Sequence, residues 1–373
     1  MAPPPAFRST CLCYCKILRC CHVLTSSRPM NIPFIRLLNQ QIVSQQFARP
    51  EELVEWMGAV QAQDLRAAQW AVGLRTKKCT MAEVEVALDS GKIIRTHVMR
   101  PTWQFVSPED VRWMLEINRT PMERMYAGYL KSTGVDIGDR EYGRALETFA
   151  RTLEGGRSLT LEQLREACRD VEGISCELHH VKGYIVRAES RALLCNGISA
   201  GNKNTYSLLD EKVPYVPEIS REEALSRLAA KYFRSHSPAT LQDFIWWSGL
   251  GTGEARKAVG SISADLERAT VKGREFFIHS SCRIRGHCSG SVSLIPAYDE
   301  YLLGYKDRSD VLPLHLHSKA FNTFGIFRRI IQQGGQIVGN WDAKPSVTFS
   351  FFRSTPNSPA LEKAIERYRD FLR

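Results

Sequence analysis

The sequence predicts a mostly helical α+β chain in which three helix–helix–helix–hairpin units run in tandem, ahead of a β-rich C-terminal segment. Two observations carry this prediction. Apolar residues at helical spacing, broken by short turns and followed by alternating runs, recur three times between residues 31 and 280. After His279 the texture changes to strands. With 373 residues, 43% of them hydrophobic, the chain can bury a sizeable core over two or three domains. It holds no run of eighteen apolar residues, so the expectation is a soluble protein with no membrane span.

Residues 1–30 open on "MAPPPAF" and close on "TSSRP", both of disordered composition. Between them "CLCYCKILRCC" places Cys11, Cys13, Cys15, Cys20 and Cys21 ahead of His22, a spacing that suits a soft metal as well as an unstructured tail. The tail is the expectation, with no metal and no cofactor. This acid-free stretch loosely resembles a mitochondrial presequence, and Met30 equally suits a start of the chain. The remaining cysteines (Cys79, Cys168, Cys176, Cys195, Cys282 and Cys288) form no C-x-x-C pair, which fits free thiols in a reducing compartment such as the cytoplasm. Six of the ten net positive charges fall within residues 1–50, leaving +4 for the other 323. Any nucleic-acid surface must therefore come from how charges segregate in space.

The first unit, residues 31–120, reads as three helices, "NIPFIRLLNQQIVSQQF", "RPEELVEWMGAV" and "TMAEVEVALDSG", then the hairpin "KIIRTHVMRPTWQFVSPED". "QAQDLRAAQWAVGLRTKK" stands as an insertion. The second, residues 121–215, has a helix, a Gly-Gly break, a helix capped near Thr160, a third helix over "SCELHHVKGYIVRAESRAL" and a Gly/Asn-rich wing. The third, residues 216–280, is the most regular. Ser220 with Glu223 and Thr240 with Asp243 cap its first two helices, "TGEARKAVGSI" gives the third, and two strands join around Lys272 and Gly273. Three helices and then a hairpin is the winged-helix order. Residues 281–373 add "SVSLIPAYDEYLLGY" and "GIFRRIIQQGGQIVGNW" as strands, then the closing helix "SPALEKAIERYRDFLR".

Five blocks in order, "VQAQD", "RTHVMRPTWQFVSPEDVRWML", "SPATLQDFIWWSGL", "LIPAYDEYLLGYKDRS" and "QIVGNW", resemble the AlkZ/YcaQ family of DNA glycosylases from about Asn31 to the C-terminus. The resemblance implies three winged-helix units forming a concave, positive cradle for duplex DNA. It also implies a catalytic Gln-x-Gln or Gln-x-Asp. Gln61, Ala62 and Gln63 match the Gln-x-Gln branch.

Cleavage of an N-glycosidic bond passes through an oxocarbenium-like transition state. An N3- or N7-alkylated purine already carries positive charge and leaves without a strong acid. What remains is to place a water below C1′ and to stabilise the sugar cation. Fixed amide dipoles can do both without titrating. Two residues apart on an extended segment the amides face one side, whereas on a helix they diverge by roughly 200°. Gln61 and Gln63 are therefore expected on a loop or strand. Asp64 suits the N-cap of the helix "LRAAQWAV".

Further DNA-binding candidates are His97, Arg100 and Trp103, lining the pocket or touching phosphates. Strand alternation sets His97 and Met99 on one face and Arg100 on the other, and Trp103 equally suits a wedge against the first unit's core. Tyr298, Asp299, Tyr301 and Arg308 form a polar-aromatic segment that also reads as a core strand with two buried tyrosines. Trp246 and Trp247 read as core. No lysine is marked as an imine-forming nucleophile.

The expected function is a monofunctional, monomeric DNA glycosylase acting on duplex DNA that contains alkylated purines, at the nucleoid and at no membrane. Its rivals are a winged-helix transcription regulator without catalysis and an inactive scaffold. "GTGEARKAVGSI" offers the regulator only Arg256 and Lys257 for reading base edges.

Overall fold

The computed structural model describes residues 30–373 apart from 101, 202, 287–289, 344–345 and 353–357. The expectations for the leader, with its five cysteines and His22, and for Cys288 lie outside the described residues. Helix outweighs strand, 48% to 17%, as a mostly helical α+β chain requires. No helix among the described residues is long and apolar enough to cross a membrane.

Helix α1 (Ile32–Asn39) comes first. Helix α2 (Pro50–Met57) starts on Pro50 with Glu51 and Glu52 in its first turn, and ends at Gly58, whose φ of 79° favours glycine. Strand β1 (Val60–Gln61) follows, then α3 (Leu65–Arg75), α4 (Met81–Asp89), β2 (Ile94–Met99) and β3 (Thr102–Val106). Asp64 caps α3 by accepting the Ala67 N–H at 3.0 Å, as the sequence suggested, and Thr80 with Glu83 forms a capping box on α4. The sheet order is β1-β3-β2, all antiparallel.

The same connectivity returns twice. After α5 (Val111–Ser132), which runs across the boundary expected at residue 120, come α6 (Asp139–Leu153), β4 (Leu159–Thr160), α7 (Leu161–Ala167), α8 (Leu178–Ser190), β5 (Leu194–Asn196) and β6 (Thr205–Leu208). Their sheet order is β4-β6-β5. Beyond α9 (Leu209–Lys212) lie α10 (Arg221–His236), α11 (Leu241–Ser248), α12 (Thr252–Ser261), β7 (Leu266–Val271) and β8 (Arg274–His279). Here the short first strand shrinks to one bridge between Ala239 and Phe277 of β8. In each group a short strand after the first helix pairs with the last strand. The stretch expected to be an insertion in the first group is thus β1 and α3, and α1 falls outside the repeated order.

The C-terminal part holds β9 (Val292–Ile295), α13 (Glu300–Leu303), α14 (His317–Ala320), β10 (Ile330–Gln333), β11 (Gln336–Asp342), β12 (Thr348–Phe351) and α15 (Ser358–Phe371), with sheet order β12-β11-β10-β9. The strand expected through "AYDEYLLGY" ends at Ile295. Asp299 accepts the Tyr301 N–H at 2.8 Å and caps a helical turn instead.

Three buried clusters result. One joins α2, α3 and α4 to the C-terminal sheet and α15; a second joins the β2–β3 hairpin and α5 to the third group; the last is the second group's own. The first sheet lies between the first two clusters, Val60 and Phe105 facing one and Ile94, Val98 and Val106 the other. Trp70 and Trp341 donate their indole N–H groups to the carbonyls of Leu294 and Ile295, so burying these rings leaves no polar atom stranded. Gly73 faces the Phe371 ring so closely that a Cβ there would stand 2.3 Å from it.

Candidate functional site

Strand β1 places the glutamine pair. Gln61 stands opposite Gln104 on β3, and its side-chain oxygen accepts the Gln104 amide at 2.7 Å; Gln104 also donates to the Thr102 hydroxyl at 2.9 Å. The Gln61 backbone N–H donates to Glu300 Oε1 at 2.9 Å, and the Ala62 N–H to the Trp103 carbonyl at 2.7 Å. Gln61 is 7% exposed. Gln63 follows the end of the strand, in the bend before α3, and is exposed. Its amide oxygen accepts the Trp103 backbone N–H at 3.4 Å. The pair thus lies on strand and loop as expected, Gln61 anchored on Gln104 and Gln63 exposed in the bend that follows.

Gln63, His97 and Trp103 share the wall of a cavity of about 520 Å³, and Tyr126, Lys182 and Tyr206 close its other side. The cavity lies between the β2–β3 hairpin, α5 and the second group. The His97 and Trp103 rings are 4.8 Å apart at 42°. Both meet Glu189 of α8, His97 Nδ1 at 2.5 Å and the Trp103 indole N–H at 3.2 Å. Over the Trp103 ring, at 4.1 Å, lies the Arg95 guanidinium, which donates to the Ala62 carbonyl and to Asn204. Burial lowers the Arg95 pKa to about 10 against the pull of Glu189, so it stays a cation at neutral pH. Burial also raises the Tyr126 phenol to about 12, with Tyr129 adding to it, so it remains a neutral donor. Lys182, Lys203 and Glu162 are exposed at the rim.

The remaining candidates lie elsewhere. A register shift between His97 and Met99 breaks the expected alternation: Val98 and Met99 are both fully buried, while His97 faces Glu189. Arg100 sits at the hairpin turn with φ 56° and runs across Gly249 of the third group. Asp299 is 3% exposed, and both its oxygens accept from Arg75 at 2.7 and 2.8 Å. Arg308 donates to the carbonyls of Leu302 and Lys306 among Trp246, Phe321 and Phe327. Tyr298, half-buried, packs beside Phe327. None of these four lines the cavity. A larger cavity of about 640 Å³, between α5 and the start of α10, contains none of the candidates.

Sequence reasoning missed Arg95, Gln104, Glu189 and Glu300. Arg95 was findable, being two residues before His97 on the same strand face. Glu300 is buried between three partners: the Gln61 N–H, the Trp247 indole at 3.0 Å and His236 Nε2 at 3.5 Å. Burial pushes its pKa up, but His236, the Gln61 N–H and Arg100 together outweigh this and hold it below the usual carboxylate range. Nothing in the spacing of Glu189 or Glu300 marked either as belonging to the site.

A family model described as "DNA glycosylase AlkZ-like" matches residues 54–371. Among solved structures the chain is similar to the Streptomyces sahachiroi DNA glycosylase AlkZ, with a TM-score of 0.74 and 21% identity over 91% of this chain and 95% of that one. At that identity the likeness carries the fold. No curated protein matches.

Proposed function

Because the chain belongs to the AlkZ-like DNA glycosylase family, we propose that it is a monofunctional glycosylase. Its substrates are cationic or bulky N3- and N7-alkylated purines in duplex DNA, and its product is an abasic site. The observation that carries this reading is the exposed amide of Gln63, opening onto a cavity walled by Trp103, His97 and tyrosines, next to an amide anchored on a strand.

In this reading the three groups of helices and strands are winged-helix units that cradle the duplex, and the extruded alkylpurine nucleotide enters the cavity. Trp103 packs on the nucleotide. The carbonyl dipole of Gln63 holds the water below C1′ and faces the developing sugar cation. Gln61 lies buried behind the cavity wall with its oxygen accepting the Gln104 amide, and this reading assigns its second lone pair to the same water. The purine leaves on its own positive charge, so no group at this pair has to titrate. Lys182 and Lys203 at the rim attract phosphates. Tyr298, Asp299 and Arg308 support the segment that carries Glu300, and Arg100 braces the hairpin; none of the four is assigned to the reacting nucleotide.

Incubation with duplex DNA carrying N7-methylguanine, followed by alkaline cleavage, tests the reading. Base release with strand breaks appearing only after alkali is the expected result. Borohydride should trap no covalent adduct, because an adduct would assign Lys182 or Lys203 an imine-forming role. A chain that binds a defined palindromic site and releases no base would be a regulator instead.

A further inference from the structure

Glu189 is an acid that the fold of its own group does not use. It sits in the last turn of α8 at 1% exposure, on a helix whose Tyr184, Ile185 and Ala188 pack in the second group's core. Yet its two oxygens reach across to the first group, Oε2 to His97 Nδ1 at 2.5 Å and Oε1 to the Trp103 indole N–H at 3.2 Å. Both partners line the cavity beside Gln63. The opposite constraint on Trp103 comes from its own sheet, where Arg95 lies 4.1 Å from the ring. The indole is thus held on its edge by one group and against its face by another.

A buried carboxylate is unfavourable unless its oxygens are satisfied, so the docking of α8 and the orientation of the two rings depend on each other. We infer that Glu189 is a positioning residue for base release: it locks Trp103 and His97 as the wall against which the extruded nucleotide lies, and so sets the alignment of C1′ with Gln63. The inference rests on the cavity being the site of base release proposed above. Without the acceptor at its edge the indole gains freedom about its side-chain torsions, and misplacement of about 1 Å at a reacting centre costs about 10²-fold in rate.

The test is Glu189→Gln, which keeps the shape and one acceptor oxygen but loses the charge and one of the two acceptors. Single-turnover release of N7-methylguanine from duplex DNA is measured at saturating enzyme, beside the thermal midpoint and the Kd for undamaged duplex. The expected result is a saturated rate constant about 10- to 100-fold lower, with midpoint and Kd little changed. Trp103→Phe, which keeps a ring and removes the N–H, should also slow release, and the double variant should lose less than the product of the two effects. A role in folding alone would lower the midpoint and leave the saturated rate constant of the folded enzyme at the wild-type value; that result, or losses that multiply, overturns the inference. If Glu189→Gln does not fold, wild-type rates in both Trp103→Phe and His97→Gln overturn it. A wild-type chain that releases no alkylpurine overturns the functional reading, and this inference with it, whereas an active wild type with an unaffected Glu189→Gln overturns the inference alone.

Discussion

Replacing Gln63 by alanine separates chemistry from folding, because the fold scarcely depends on this side chain. Gln63 is exposed, and its oxygen meets the Trp103 N–H at 3.4 Å, the long edge of hydrogen bonding. The change should therefore alter stability by no more than about 0.5 kcal/mol. Losing a preorganised dipole at a developing charge should slow base release about 10²- to 10³-fold, equivalent to about 2.7–4 kcal/mol of transition-state stabilisation. Gln61→Ala provides the contrast. It removes the 2.7 Å acceptor of the buried Gln104 amide, so about 1–3 kcal/mol of stability should be lost together with activity. The assay is single-turnover release of N7-methylguanine at saturating enzyme, with abasic sites scored by alkaline cleavage and thermal melting run in parallel. A Gln63→Ala enzyme that melts normally and releases base at the wild-type rate would refute the assignment. The pair would then be an edge of the strand and no more.

Gln63→Asp should retain activity on the cationic base but acquire an acid limb in its pH–rate profile, because a carboxylate now titrates where the amide did not; a profile parallel to wild type counts against the role of this position. Gly73→Ala sets a Cβ 2.3 Å from the Phe371 ring and should destabilise by about 1–3 kcal/mol through displacement of α15, read as a lower urea midpoint. Glu300 is held below the usual carboxylate range, so the stability it contributes is present above its unfolded value of 4.5 and is lost as pH falls through its lower folded value. Urea titrations of Glu300→Gln should accordingly lose less stability than wild type over that acid window, and an equal loss would place the acid sensitivity elsewhere.

Much of the local structure was legible because it is set by neighbours in the chain. Thr80, Thr160 and Thr240 each cap a helix whose third residue is a matching Glu, Gln or Asp, and Lys272–Gly273 turns the β7–β8 hairpin at positive φ. The placement of Gln61 and Gln63 on strand and loop followed from the same local reasoning, as did the capping role of Asp64. Pairing over distance was not legible. Strand β1 has two residues, too few for a periodic signal, and exists because β3 offers it partners at Gln104 and Phe105. This is why β1 and α3 read as an insertion. The segment around Asp299 read as strand because alternating tyrosines look alike whether they lie in a strand or around a single capped turn.

By itself the sequence determined the class of the chain, the places where its helices begin and its hairpins turn, and a pair of uncharged amides outside any helix. Tertiary structure alone decided which polar side chains face the cavity and which are buried in support. Arg75 with Asp299, Glu300 with the Gln61 N–H, and Glu189 with His97 and Trp103 each join residues that are 86 or more positions apart. Apolar periodicity says which face of an element is buried, but it carries no record of which distant element arrives to cover it. A buried charge is tolerated only where such an arrival supplies its partner.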